Sequence, residues 1–159
     1  MSARPSASHE TLLAELAAIY READALFAEH RCEASTECCR FGITGREPYV
    51  TSIELSALRR AVGRLGGRVA KPASKALPIA RARDERRCPM LTSEGRCAVY
   101  ADRPLGCRTF FCDRATAPTK VRHREVQELV RRVQAVAAKH EPDGDKGRPL
   151  TRAIAEKQR

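Results

Sequence analysis

Between Ser8 and His30 the apolar residues Leu12, Leu16, Ile19, Ala23 and Leu26 recur at alternating steps of four and three, with Leu13, Tyr20 and Phe27 beside them. That period marks one face of an α-helix, so a long amphipathic helix is predicted here. Ser8 can serve as its N-cap, and Glu10 suits the positive end of the helix dipole. The stripe is wider than a coiled-coil seam, which favours packing on the protein's own core over a two-helix coiled coil. A second start signal lies at Thr51 and Glu54, which have the spacing of a capping box; Ile53, Leu55, Leu58, Val62 and Leu65 then carry a helical face as far as Gly66-Gly67. This predicts a helix over about 52–65. A third helix is predicted from Thr119 to His140, with Val121, Val126, Leu129, Val130, Val133 and Val136 on its apolar side.

The stretches between these helices read differently. Residues 31–50 contain Gly42, Gly45 and Pro48 and no sustained period, which predicts loop with a short extended piece at Tyr49-Val50. Residues 68–87 hold Pro72 and Pro78 and little large apolar content, as a linker does. Residues 88–114 are broken by Pro89, Gly95, Pro104 and Gly106 and read as compact loops. After Glu141, the residues Pro142, Gly144, Gly147 and Pro149 predict a disordered tail with at most a short helix at Leu150 to Lys157. The expected organisation is a helix in 1–30, a cysteine-bearing unit in 31–114 that includes the linker, a helix in 115–140 packed on that unit, and a tail in 141–159. The expected fold class is mainly α: a small single domain of about three helices, with irregular cysteine-rich loops organised around a metal site.

Composition sharpens this picture. The chain of 159 residues has no Trp, three Tyr and four Phe. A domain of this length buries roughly two-thirds of its unfolded surface, so its core must be aliphatic or helped by something else. Seven cysteines are the candidates for that help. The N-terminal residues lack a secretory pattern, and no apolar run approaches the roughly 20 residues of a membrane span. The thiols are therefore expected in the reducing cytoplasm. An odd number of them there argues against a disulfide framework and leaves metal ligation, redox chemistry or plain burial.

The cysteines form two groups, Cys32, Cys38 and Cys39, then Cys88, Cys97, Cys107 and Cys112, all in predicted loops. Structural cysteines usually ride on apolar faces of helices and strands, whereas loops that wrap an ion bring thiolates together. Thiolate sets suit both tetrahedral zinc and iron-sulfur clusters. The paired knuckles of a zinc ribbon and the tight run of a bacterial ferredoxin are both absent from the sequence. Adjacent Cys38 and Cys39 would point to opposite sides of an extended backbone, so both serve one small site only if the chain turns sharply between them. One four-thiolate site with spare cysteines is the simplest arrangement; two sites sharing the seven sulfurs and His30 is the alternative.

At these residues the sequence resembles the YkgJ-like cysteine-cluster family, described as zinc- or iron-chelating. Its pattern is C-x2-C-x2-C-C, then C-P-x-L, C-x-[IV]-Y, and R-P-x-x-C-R before a last cysteine. Here Cys88-Pro89-Met90-Leu91 and Cys97-Ala98-Val99-Tyr100 match the second and third elements, and Arg103-Pro104-Leu105-Gly106-Cys107-Arg108 with Cys112 completes the pattern. The first element departs from it, because Ser35 stands where the family carries its second cysteine. The resemblance covers about residues 29–114. It implies a metal or iron-sulfur protein inside the cell, with all seven cysteines as candidate ligands and a slight preference for an iron-sulfur cluster over zinc.

Arg103 and Arg108 bracket Cys107, where a guanidinium could offset thiolate charge and donate hydrogen bonds to sulfur; surface pairing with Asp102 or Asp113 is the alternative. Tyr100, Phe110 and Phe111 read as hydrophobic cover for the site. The net charge of +10 is concentrated in residues 59–87 and 119–159. A basic surface over 59–87 and 120–132 raises nucleic-acid binding, or a protein-adaptor role, as the alternative function. No helix-turn-helix, zinc finger or set of interleaved aromatics accompanies it, so a solvated basic face is the simpler reading. No catalytic constellation emerges: His9, His30, His123 and His140 sit in no hydrolase motif, and only His30 is near enough in sequence to a cysteine to be a candidate ligand.

Overall fold

The structure, a computed structural model, describes residues 7–30, 36–67, 86–110 and 120–156. Six helices and one small sheet make it up: α1 (Ala7–Leu26), α2 (Phe41–Thr44), β1 (Tyr49–Val50), α3 (Ser52–Arg64), α4 (Leu105–Thr109), α5 (His123–His140), β2 (Arg148–Pro149) and α6 (Leu150–Ala155). Two 3-10 turns, Glu37–Cys39 and Tyr100–Asp102, complete the set. The three long helices are those the sequence predicts. The short ones, α2, α4 and α6, raise the number above the three expected, because four to six residues cannot display a helical period. Ser8 lies inside α1 and not at its cap.

Two apolar clusters lie on either side of α3. In the first, Leu12, Leu16, Ile19 and Ala23 of α1 meet Ile53 of α3, Leu105 of α4, and Leu129, Val133 and Val136 of α5. The predicted stripes of α1 and α5 thus bury against one another, each large aliphatic side chain contributing about 2 kcal/mol. At the rim of this pair Arg132 binds Glu22 through both guanidinium ends, and Lys139 reaches Glu15 at 3.5 Å. In the second cluster Leu55, Leu58 and Ala61 of α3 pack with Phe41, Val50, Cys88, Met90, Leu91 and Val99, and with Leu150 and Ala153 of α6.

The segment after α5 corrects the expectation of disorder. β2 pairs antiparallel with β1, Val50 opposite Arg148, and Leu150 donates its N–H to the Pro48 carbonyl at 3.0 Å. Glu47 accepts from both the backbone and the hydroxyl of Thr151, at 2.7 and 2.5 Å, which caps the start of α6. Arg59 closes the other end by donating to the carbonyls of Ala153 and Glu156, at 3.3 and 2.7 Å. Gly144, counted in the sequence as a sign of disorder, marks a close approach instead. A Cβ on it would stand 2.3 Å from the Ala137 carbonyl oxygen and 2.4 Å from Ser52 Oγ. Only glycine lets the turn after α5 lie against the start of α3, where Ser52 N–H donates to the Gly144 carbonyl at 3.0 Å.

Candidate metal centre

The first cysteine group is shaped by a reversal of the chain. Thr36 takes a left-handed conformation, φ 58°, and the following 3-10 turn closes with Cys39 N–H to Thr36 O at 3.0 Å and Arg40 N–H to Glu37 O at 2.9 Å. The turn meets the condition set by the sequence. Cys38 and Cys39 point the same way, and their sulfurs lie 3.9 Å apart.

The same turn reaches the second group. Cys88 donates its N–H to the Cys39 carbonyl at 2.7 Å, and Arg40 bridges Arg87 beside it. From Cys88 the chain makes a tight hairpin, in which Leu91 bridges Cys97, Thr92 donates to Arg96 O and Ala98 donates to Met90 O, the last two at 2.8 Å. Gly95, φ 72°, supplies the turn that brings the arms back together. Cys107 lies on α4, a departure from the all-loop placement expected, and its N–H meets the carbonyl of Pro104 at the helix N-cap at 3.0 Å.

These elements enclose a cavity of about 990 Å³ whose lining includes Cys38, Cys39, Cys88, Cys97 and Cys107. All five are free thiols. His30 lines the same cavity, as do Arg46, Arg96, Arg103, Lys120 and His123 at its more polar parts. Cys32 and Cys112, with Ser35 and Phe111, lie outside the described residues. Tyr100 is not buried cover: it is 63% exposed at the cavity wall, with the Arg103 guanidinium 3.7 Å from its ring centroid.

Burial pushes the Cys88 thiol up to about 11, and raises Cys97 and Cys107 as well. The Cys38–Cys39 pair divides its proton unequally. The shared hydrogen bond lowers Cys38, helped by the positive charge of Arg103, and raises Cys39. The donor chemistry therefore fits a thiophilic metal: soft ligands, largely withdrawn from water, with the Arg103 charge acting on three of them. Among the described residues, however, no group of three or more His, Cys, Asp or Glu donors is drawn together at ligand spacing.

The two bracketing arginines separate. Arg103 turns toward the cavity, donates through Nε to the Tyr100 carbonyl at 3.0 Å, and acts on Cys38, Cys97 and Cys107 through its charge. Arg108 turns into the protein and is 4% exposed. It binds Asp24 of α1 at 2.6 Å and the carbonyls of Arg103 and Ala101, and its guanidinium lies 4.2 Å from the Tyr20 ring centroid. Asp24, 84 residues distant, takes the place of the Asp102 or Asp113 partner considered from sequence. Arg108 thus fixes α4, and through it Cys107, to α1.

Sequence reasoning did not single out Glu54 as more than a helix cap, nor Arg46, Arg96, Lys120 and His123 as cavity residues. Glu54 has a signal, its capping-box position; the others have none, because only folding brings them to one wall.

A family model described as CxxCxxCC, putative zinc- or iron-chelating domain, matches residues 31–133. The chain belongs to this family. No curated protein and no solved structure matches it. The match includes both cysteine groups and stops short of β2 and α6. No helix among the described residues is long and apolar enough to cross a membrane.

Proposed function

We propose that this protein binds a single metal ion, zinc or iron, through the cysteines of the cavity, with Cys38 and Cys39 as two ligands of the same ion. The separation of 3.9 Å between their sulfurs carries the reading. Two thiolates each about 2.3 Å from a tetrahedral ion stand about 3.8 Å apart. Cys88, Cys97 and Cys107, which line the same cavity, supply the other ligands, with Cys32 and Cys112 as further candidates. When bound, such an ion contributes folding energy by tying the two cysteine groups together. An iron-sulfur cluster, the preference from sequence, is the second reading, with the same thiols as its ligands.

Arg103 supports the site by offsetting thiolate charge, the role expected for it, while Arg108 acts at a distance through α4. The nucleic-acid alternative finds little support. Of the basic side chains assigned to that surface, Arg60 binds Glu10, Arg64 binds Asp102, Arg131 binds Glu128 and Arg132 binds Glu22. Residues 68–85 of the proposed linker lie outside the described residues. A reducing cytoplasm suits free thiols of this kind.

Metal and acid-labile sulfide analysis of protein purified without oxygen, with an absorption spectrum, tests the proposal. One equivalent of zinc or iron without sulfide supports the single ion, and iron with sulfide supports the cluster. Protein that folds and carries neither metal overturns both.

A further inference from the structure

The cavity is much larger than an ion requires, and its charge is unbalanced. A volume of about 990 Å³ lies at the upper end of what small-molecule sites occupy. Its lining combines apolar residues and five thiols with Arg46, Arg96, Arg103 and Lys120. Among the described residues Glu47 is the one carboxylate in the lining, and it is occupied in capping α6 through Thr151. None of the four cations has a carboxylate partner among the described residues, although Arg60, Arg64, Arg132 and Arg148 elsewhere each have one. Arg103 serves the thiols through its charge; the other three line the cavity and are exposed.

Two of these guanidinium groups are held in place. Arg46 lies 4.3 Å from the Phe110 ring centroid, and Arg103 lies 3.7 Å from that of Tyr100. Stacking leaves the N–H edges of a guanidinium available for the oxygen pairs of a carboxylate or phosphate, and an ordered fork loses less entropy on binding.

The geometry points to a second ligand in this cavity: a small polyanion bearing several carboxylate or phosphate oxygens, held by Arg46, Arg96 and Lys120 beside the cysteine site. The inference extends the metal-binding reading, since the anion would share the cavity that the cysteines line. It does not require the ion to be present, because its binding groups are side chains of the cavity wall.

The test is calorimetric titration of the full chain, metal-loaded and metal-free, with tricarballylate and with inorganic phosphate at about 50 mM salt. Metal content is measured on the same samples before and after. Saturable binding of at least one anion is expected, weakened about tenfold or more by the pair Arg46→Gln and Arg96→Gln, with metal content unchanged. Binding of tricarballylate alone identifies a polycarboxylate; binding of phosphate alone identifies a phosphate ester. If neither anion binds, or binding ignores both substitutions, the cations merely balance thiolate charge and the inference fails. Absence of metal from the purified protein counts against the metal-binding reading only, since the metal-free titration still decides the anion site.

Discussion

Glu54 Oε1 accepts the backbone N–H of Leu105 at 2.8 Å, across 51 residues of chain. The same carboxylate accepts the N–H and hydroxyl of Thr51 through Oε2, both at 2.9 Å, and the Tyr20 hydroxyl at 3.3 Å. One side chain therefore caps α3, anchors the start of α4 and ties both to α1. Burial nonetheless pushes its carboxyl up, so these donors hold a group that is costly to ionise. Replacement by Ala leaves the donors of Thr51, Tyr20 and Leu105 without their partner inside the protein. Glu54→Ala should lose about 3 kcal/mol in urea denaturation, and Glu54→Gln distinctly less, since the amide oxygen keeps one acceptor in place.

Arg108 offers a complementary test. Arg108→Lys preserves the charge but cannot serve Asp24, two carbonyls and the Tyr20 face at once. A loss of about 2 kcal/mol is expected for it, and about 3 kcal/mol for Arg108→Ala, which leaves the Ala101 and Arg103 carbonyls without their donor. Thermal unfolding of both variants checks the order; equal stability of the Lys variant and the parent would show that charge alone matters.

Gly144→Ala should be among the most damaging small substitutions. The added carbon meets the Ala137 and Glu141 carbonyl oxygens and Ser52 Oγ inside normal contact distance, and backbone must move to admit it. The expected loss is about 3 kcal/mol, read as a fall in the urea midpoint with an unchanged slope.

His140 makes stability depend on pH. Its Nδ1 lies 2.9 Å from Ser52 Oγ, its ring 5.1 Å from that of His9, and burial lowers its pKa below the ordinary 6.5. Glu141 works against that shift and His9 with it. A histidine whose folded pKa is depressed favours the neutral form, so its contribution is present above 6.5 and is lost as pH falls through the folded value. The melting temperature should drop between pH 7 and pH 5, and His140→Gln should flatten that slope. An unchanged slope would place the titration elsewhere.

Chelation addresses the cysteine site directly. Removing the ion from loaded protein should lower the melting temperature, and the effect should vanish in Cys39→Ser and Cys88→Ser, which remove one cavity-lining thiol from each cysteine group. Unaltered chelator sensitivity in both variants would exclude this pair as ligands.

Legibility in the sequence followed the range of the interaction. The period of Leu12, Leu16, Ile19 and Ala23 and the Thr51–Glu54 box are local, and both reappear in α1 and α3. The grouping of cysteines was visible, and so was the need for a turn between Cys38 and Cys39. What depended on distant partners was hidden. Arg108 looked like a neighbour of sulfur because Cys107 adjoins it, but helical geometry turns consecutive side chains about a hundred degrees apart, and Asp24 waits on the other side. Gly144 was misread for the same reason: a glycine demanded by a close approach looks like one demanded by flexibility until the approaching atoms are seen.

The family match ends at residue 133, yet Leu150 lines the cavity and Ala153 packs behind it, while α1 closes the opposite face of α3. The cysteine motif thus sits inside a larger folding unit, which adds Phe27 and His30 to the cavity from one flank and Leu150 from the other. A fragment trimmed to residues 31–133 would keep every cysteine yet lose the α1 and α6 packing that holds the thiol-bearing segments in place.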